Sequence, residues 1–297
     1  MTLPPPNAIV EPLWPPRRGL ASFTDEELAL LQDLPDSDGE PLDSPWHRHA
    51  MNLLIETATC HFRGRDDFFV GGDMFLYYNV DQQRHRDFRG PDFFFVWGVD
   101  RRRERNYYAI WQENNRFPNV IVELLSPTTA AIDRGEKREL YQSTFHTPEY
   151  FLCDPQETTL ILEGLRLNAQ QVYEPIQANE RGWLWSEQLQ LWLGTWYGEW
   201  SDQTATWPRF YDANGRLVPT FTEAAQQNLE QEKQRAEQEK QRADAAQQHA
   251  EQEKQRADAA QQHAEQEKQR ADAAVTEAEQ LRRQLEELRR QLPPKPQ

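Results

Sequence analysis

The chain has 297 residues with a formal net charge of −16, enough for one sizeable globular domain and a further segment. Ahead of Glu223, 33 acidic residues face 20 basic ones, so that part alone stands near −13. This excludes a general nucleic-acid binder with a broad basic face and leaves Arg101-Arg102-Arg103 with Arg105 as the densest candidate for a local basic groove.

Residues 1–19 are proline-rich and read as extended and disordered. They lack the basic region and apolar core of a signal peptide, and no run reaches the length of a membrane span. Cys60 and Cys153 are far apart without metal-ligand spacing and read as small apolar residues in a reducing compartment. The expected location is the cytoplasm, with no membrane contact. Ser22 to Glu27 opens a short helix with Thr24 as its cap, and Asp36-Ser37-Asp38-Gly39 forms a turn.

A helix begins at Ser44, with Met51, Leu54, Ile55 and Ala58 as its apolar stripe. Phe68 to Tyr78 reads as one or two strands bent at Gly71-Gly72, and 81–90 as a charged loop. Phe93 to Trp97 is a continuous apolar strand covered on both faces. Asn106 to Gln112 reads as another strand.

The stretch Asn119–Asp154 organises the rest. Val120-Ile121-Val122 runs into a carboxylate, Glu123, and Pro127 ends the strand. A polar helix then carries Asp133, Lys137 and Tyr141 four residues apart on one face, before a second apolar run, Tyr150 to Cys153. A buried strand has little reason to carry Glu123 unless the carboxylate is paired or holds a cation.

Leu160–Leu167 and Gln171–Pro175 read as antiparallel strands, Trp183 to Leu193 as a continuing β edge, and Trp207 to Gly215 as a final hairpin. From Glu223 a seven-residue repeat takes over, EQEKQRA alternating with DAAQQHA. Its residues are strong helix formers. Alanine fills position a from Ala236 to Ala278, and position d alternates glutamate with alanine until Leu281, Leu285, Leu288 and Leu292 close the seam. Ala buries little and Glu at d costs energy, so a coiled coil clasped at its C-terminal end is expected, or a solvated single helix along much of its length. His249 and His263 are repeat residues on a solvated face.

Asp92 starts one buried strand, Glu123 ends another, and Lys137 lies on the next helix. Two carboxylates and a lysine suit metal-dependent phosphodiester hydrolysis. The carboxylates hold Mg2+ with its retained waters, and the lysine orients the attacking water and adds positive charge. The bland alternatives are that Asp92 is a turn residue, that Glu123 pairs with an arginine, that Asp133 caps or salt-bridges its helix, and that Tyr141 is core packing with its hydroxyl in a network. His47, His49 and His61 lack triad partners and read as structural.

Pro91-Asp92, Val122 to Thr129, Asp133, Glu136 to Tyr141, Glu149-Tyr150-Phe151 and Asp154-Pro155 together resemble a bacterial family of restriction-endonuclease-like proteins. This is the Uma-type family of the PD-(D/E)XK nuclease superfamily, and the resemblance runs from about Asp36 to Pro155 and more weakly to Asp212. It implies an α/β fold, a mixed central sheet flanked by helices, followed here by the long C-terminal α-helix or coiled coil. It makes Asp92 and Glu123 the metal-binding acids. The superfamily lysine two residues after the second acid is Leu125 here, which makes Lys137 its counterpart. Glu56 and Asp73 are further acids that could join the site. The implied organisation is a disordered 1–19, a nuclease domain over 20–222, a coiled coil over 223–292 and a disordered 293–297.

Two functions compete. One is an endonuclease using Mg2+ or Mn2+ on DNA, with Asp92, Glu123 and Lys137 as catalytic residues and homo-oligomerisation through 223–292. The other is a catalytically inactive nuclease-like interaction module presented on an oligomerising helical stalk.

Overall fold

The structure, a computed structural model, describes residues 44–78, 90–156 and 159–291. The proline-rich start, the helix expected near Thr24, the turn at Asp36–Gly39, positions 81–89 of the charged loop and the terminal 293–297 lie outside the described residues.

Helix α1 (Pro45–His61) starts where expected, with the Ser44 hydroxyl accepting from His47 N at 3.4 Å and proline in the first turn. Strands β1 (Phe68–Gly71), β2 (Leu76–Tyr77), β3 (Phe93–Trp97), β4 (Tyr108–Ala109) and β5 (Val120–Leu124) follow. After β5 come α2 (Ala130–Ile132), a π-helical turn (Asp133–Lys137) and α3 (Arg138–Ser143), continuous along the chain. Then come β6 (Glu149–Pro155), β7 (Leu160–Leu167), β8 (Tyr173–Pro175), β9 (Leu184–Ser186), β10 (Leu191–Trp200) and β11 (Gln203–Tyr211). Helix α4 (Phe221–Gln291) ends the described chain.

Six strands form a mixed sheet in the order β1-β3-β5-β6-β7-β8, with β5 and β6 parallel and the other neighbours antiparallel. A parallel pair needs a crossover, and the helical segment between β5 and β6 provides it. Alternation sends Phe93, Phe95, Val120, Val122, Phe151 and Cys153 to one face, where α1 and β9–β11 cover them. Phe94, Val96, Ile121, Tyr150 and Leu152 point to the other face, against Tyr141 and Phe145 of the crossover region and Tyr108. Both faces are covered, which is why β3 is an unbroken apolar run and β5 is apolar except for Glu123.

Three readings need correction. The strand expected over Asn106–Gln112 is extended only at Tyr108–Ala109, beside β2, and Ile110–Gln112 tightens into a 3-10 turn. Asn114 and Asn115 then adopt left-handed backbone, which breaks the extension. The edge expected after Trp183 is a separate three-stranded sheet, β11-β10-β9. The main hairpin there is β10–β11, closed by Ser201-Asp202 with φ of 52° and 61°, the conformation that a two-residue hairpin loop demands. The hairpin placed at 207–215 reduces to one bridge, Tyr211 to Leu217.

Among the described residues, those up to Ala225 form one compact unit and those from Gln226 another. The first unit includes the start of α4. Thr220 Oγ1 accepts from Glu223 N at 3.1 Å while Glu223 Oε2 accepts from Thr220 N at 2.8 Å, a reciprocal capping box. The same Glu223 takes the guanidinium of fully buried Arg209 at 2.8 Å, and Glu56 Oε1 accepts from Phe221 N at 2.9 Å. No helix among the described residues is long and apolar enough to cross a membrane.

Candidate active site

The antiparallel register of β3 and β5 pairs Phe93 with Val122, so Asp92, one step before β3, falls opposite Glu123. The two acids trade hydrogen bonds with each other's strands. Leu124 N donates to Asp92 Oδ2 at 2.7 Å, and Asp92 N donates to Glu123 Oε2 at 3.3 Å. Gly72 lies against this corner, where an added Cβ would collide with the Asp92 carbonyl oxygen. Asp73, in left-handed backbone at φ 47°, donates its N–H to Pro91 O at 3.0 Å and so brings its main chain next to Asp92.

Alternation along β5 turns Glu123 toward the crossover helix. There Lys137 Nζ sits 3.0 Å from Glu123 Oε2 and 2.7 Å from Asp133 Oδ1, the second a contact of charge rather than a well-aligned hydrogen bond. Tyr141 OH donates to Glu123 Oε1 at 2.9 Å, and Tyr150 OH donates to Asp133 O at 2.9 Å. Asp92, Glu123 and Lys137 therefore meet at the end of β5, with Asp133 and Tyr141 joined to them. Glu123 and Asp133 are buried, while the Lys137 side chain keeps 16% exposure and marks the side open to water. The helix enters from a turn in which Ser126 Oγ, Thr128 Oγ1 and Thr129 Oγ1 bond one another and Ala130 N reaches Ser126 O.

Burial pushes the Asp92 and Glu123 carboxyls above the ordinary carboxylate range, and the Lys137 ammonium pulls back on both. Burial also works against that ammonium, but Glu123, Asp133 and Asp92 outweigh it and hold Lys137 above the ordinary lysine value. Burial first and Glu123 second keep the Tyr141 phenol protonated as a donor. One amine faces three acids, so ionising all three would leave an excess of negative charge that a divalent cation would offset. The donors are hard oxygens, the kind that hold a hard divalent cation with water completing the shell. No group of three or more His, Cys, Asp or Glu side chains is arranged as a metal cage among the described residues. The set fits an ion held by two protein carboxylates.

The remaining candidates lie elsewhere. Glu56 turns to the start of α4 and does not join these groups. The four arginines of the 101–105 run are engaged locally. Arg105 pairs with buried Glu113 at 2.8 Å, Arg103 with Gln112 and Glu113, Arg102 with Asp66, and Arg101 with the carbonyls of Arg63 and Arg65. That run is loop architecture rather than an open basic groove. His47 bridges Ser44 Oγ and Leu125 O, His49 packs edge-on to Trp207, and His61 packs on Phe62. Cys60 and Cys153 are buried free thiols.

Glu149, which helps carry the family resemblance but is not a sequence candidate for the site, is as deeply buried as Glu123. Arg166, Ser186 and Glu187 N satisfy it, which ties β6 to β9 and gives it a structural task. Nothing in the Glu-Tyr-Phe run distinguishes it from an ordinary strand start. The Thr220-x-x-Glu223 box was legible, since that spacing is itself a helix-start signal.

A model of the family Uma2, described as "Putative restriction endonuclease", matches residues 34–197. Among solved structures, a putative nuclease belonging to DUF820 from Anabaena variabilis is 16% identical, with a TM-score of 0.37. The match covers 55% of this chain and 89% of that one. No curated protein matches the chain.

Proposed function

This chain belongs to the Uma2 family of putative restriction endonucleases, and on that footing we propose that it cuts DNA phosphodiester bonds with the help of a divalent ion. The observation that supports the reading most is the contact of Lys137 Nζ with Glu123 Oε2 at 3.0 Å, beside the amide of Asp92. Asp92 and Glu123 would hold the ion, Mg2+ or Mn2+ in its place. When bound, such an ion would supply Lewis acidity and positive charge against the phosphate. Tyr141 pins Glu123 Oε1, which leaves Oε2 to Lys137 and the amide of Asp92. Lys137, steadied by Asp133, orients the attacking water and lends positive charge as the phosphorane forms. The cytoplasm is the setting, and the helix over 223–292 joins copies of the chain.

Plasmid nicking in Mg2+ or Mn2+ tests the reading. The parent chain nicks, and Asp92→Ala and Lys137→Ala each lower the rate at least about 100-fold. Nicking that survives both substitutions removes this site from consideration. A parent chain that cuts no DNA, yet captures a protein partner through its tail, would instead fit an inactive nuclease-like module. The acidic composition of the head, near −13, is the observation that favours that second reading.

A further inference from the structure

Leu281 and Leu285 stand 55% and 57% exposed on α4, and Val275 59%. In the heptad register Ala271, Ala278 and Leu285 occupy a, and Ala274 and Leu281 occupy d. The sequence carries the seam on with Leu288 and Leu292. From Ala236 to Ala264 the same positions offer alanine at a, and Glu239, Glu253 and Glu267 at every second d, with Leu229 a lone leucine far upstream. Burying those glutamates against a partner costs energy, so a seam that repels water is confined to the last three heptads.

A partner for that stripe must present leucine at the same spacing, which a second copy does. The flanking charges decide direction. In a parallel pair in register, g of one helix lies against e of the next heptad in the other, so Glu277 meets Arg282 of the second copy, twice by symmetry. An antiparallel pair sets e against e. With the Leu281–Leu285 layer at its centre Arg282 then faces Arg282, and with the Leu285–Leu288 layer it faces Arg289. Further toward the head, a parallel pair would set Arg235 against Lys240, so charge gives that segment no reason to close.

We propose that α4 pairs with a second copy of itself, parallel and in register, from Ala271 to its end, with residues 226–270 outside the seam. The proposal rests on the self-association put forward above and is independent of whether the head cuts DNA.

The test uses the full chain without DNA or metal. Light scattering should give the mass of two chains at micromolar concentration. Glu277→Lys and Arg282→Glu should each weaken the dimer about tenfold, the scale of two exposed ion pairs turned into repulsions. The double variant should return the parent affinity, because it rebuilds the pair with the signs exchanged. Leu281→Cys should cross-link on oxidation to a disulfide dimer that the parent, with its buried cysteines, does not form. A single-chain, three-chain or larger mass overturns the proposal. So does a double variant no tighter than the singles, or a dimer of the Leu281→Cys variant that does not cross-link on oxidation. A chain that nicks plasmid but scatters as a monomer would sink this inference alone.

Discussion

Glu223→Ala is expected to destabilise the head although the residue belongs to the first turn of the long helix. The guanidinium of Arg209 is fully buried and held by Glu223 at 2.8 and 3.3 Å and by Val218 O at 2.9 Å. Removing one partner of a buried ion pair costs about 3–5 kcal/mol, because the other charge is stranded. The Glu223 side chain is 29% exposed, so water entering the gap brings the figure to about 2–3 kcal/mol. At roughly 2–4 °C per kcal/mol for a domain of this size, Tm falls roughly 5–10 °C. All ten tryptophans precede residue 223, and Arg209 lies over Trp196, so tryptophan emission reports on the head without interference from the helix. Burial pushes the Glu223 carboxyl up, but Arg209 and Thr220 N hold it below the ordinary range. A depressed carboxyl stabilises above its unfolded pKa and loses that contribution as pH falls through the folded value, so the deficit narrows in acid. Arg209→Met with Glu223→Ala should recover part of the loss, since no charge then remains buried. A variant melting within a degree of the parent at neutral pH would refute the reasoning. A tail deletion meant to test the head alone must keep Glu223, or it removes an anchor of the fold along with the tail.

Other outcomes follow from the site. Asp92 and Glu123 titrate above their unfolded values, so the stability they contribute is full below the ordinary carboxylate range and is lost as pH rises through the folded values. The metal-free chain should therefore melt lower at pH 8 than at pH 5, and Mg2+ should raise Tm more at pH 8, where protons compete less. Equal Mg2+ shifts at the two pH values, measured by thermal melting, would count against carboxylate ligation. Lys137→Met should show a larger Tm deficit at pH 8 than at pH 5, because the ammonium is what favours the ionised acids. A deficit independent of pH would mean that Lys137 acts only as packing. Tyr141→Phe removes the donor to Glu123 Oε1 and should cost about 1–2 kcal/mol in urea unfolding, with no change in m.

Much of this architecture is legible in the chain because burial on two faces leaves a plain signature. Phe93–Trp97 and Val120–Leu124 lack polar alternation, and both are central strands. Asp92 and Glu123 are conspicuous for the same reason, as charges at the margins of apolar runs. Ser44 and the heptads mark helices by local chemistry alone. What escapes is pairing at a distance. Strand β10 carries Gly194 and Gly198 and turns through Ser201-Asp202, so neither its composition nor its turn residues match the usual hairpin signals. That β9–β11 forms its own sheet depends on contacts with α1 and β7 that no local window contains. The destination of Glu56 is likewise a long-range matter, since its partner is 165 residues away.

The π-helical turn at Asp133–Lys137 has a geometric consequence. Eight residues along an ideal α-helix leave the first and last about 80° apart around the axis. A widened turn that absorbs one extra residue removes about 100° of rotation, so Asp133 and Tyr141 come within roughly 20° of a common line. The inserted residue thus works as an angular shim. It lets a carboxylate, an amine and a phenol look the same way, whereas the same eight residues wound as an unbroken α-helix would set the phenol about 80° away from the carboxylate.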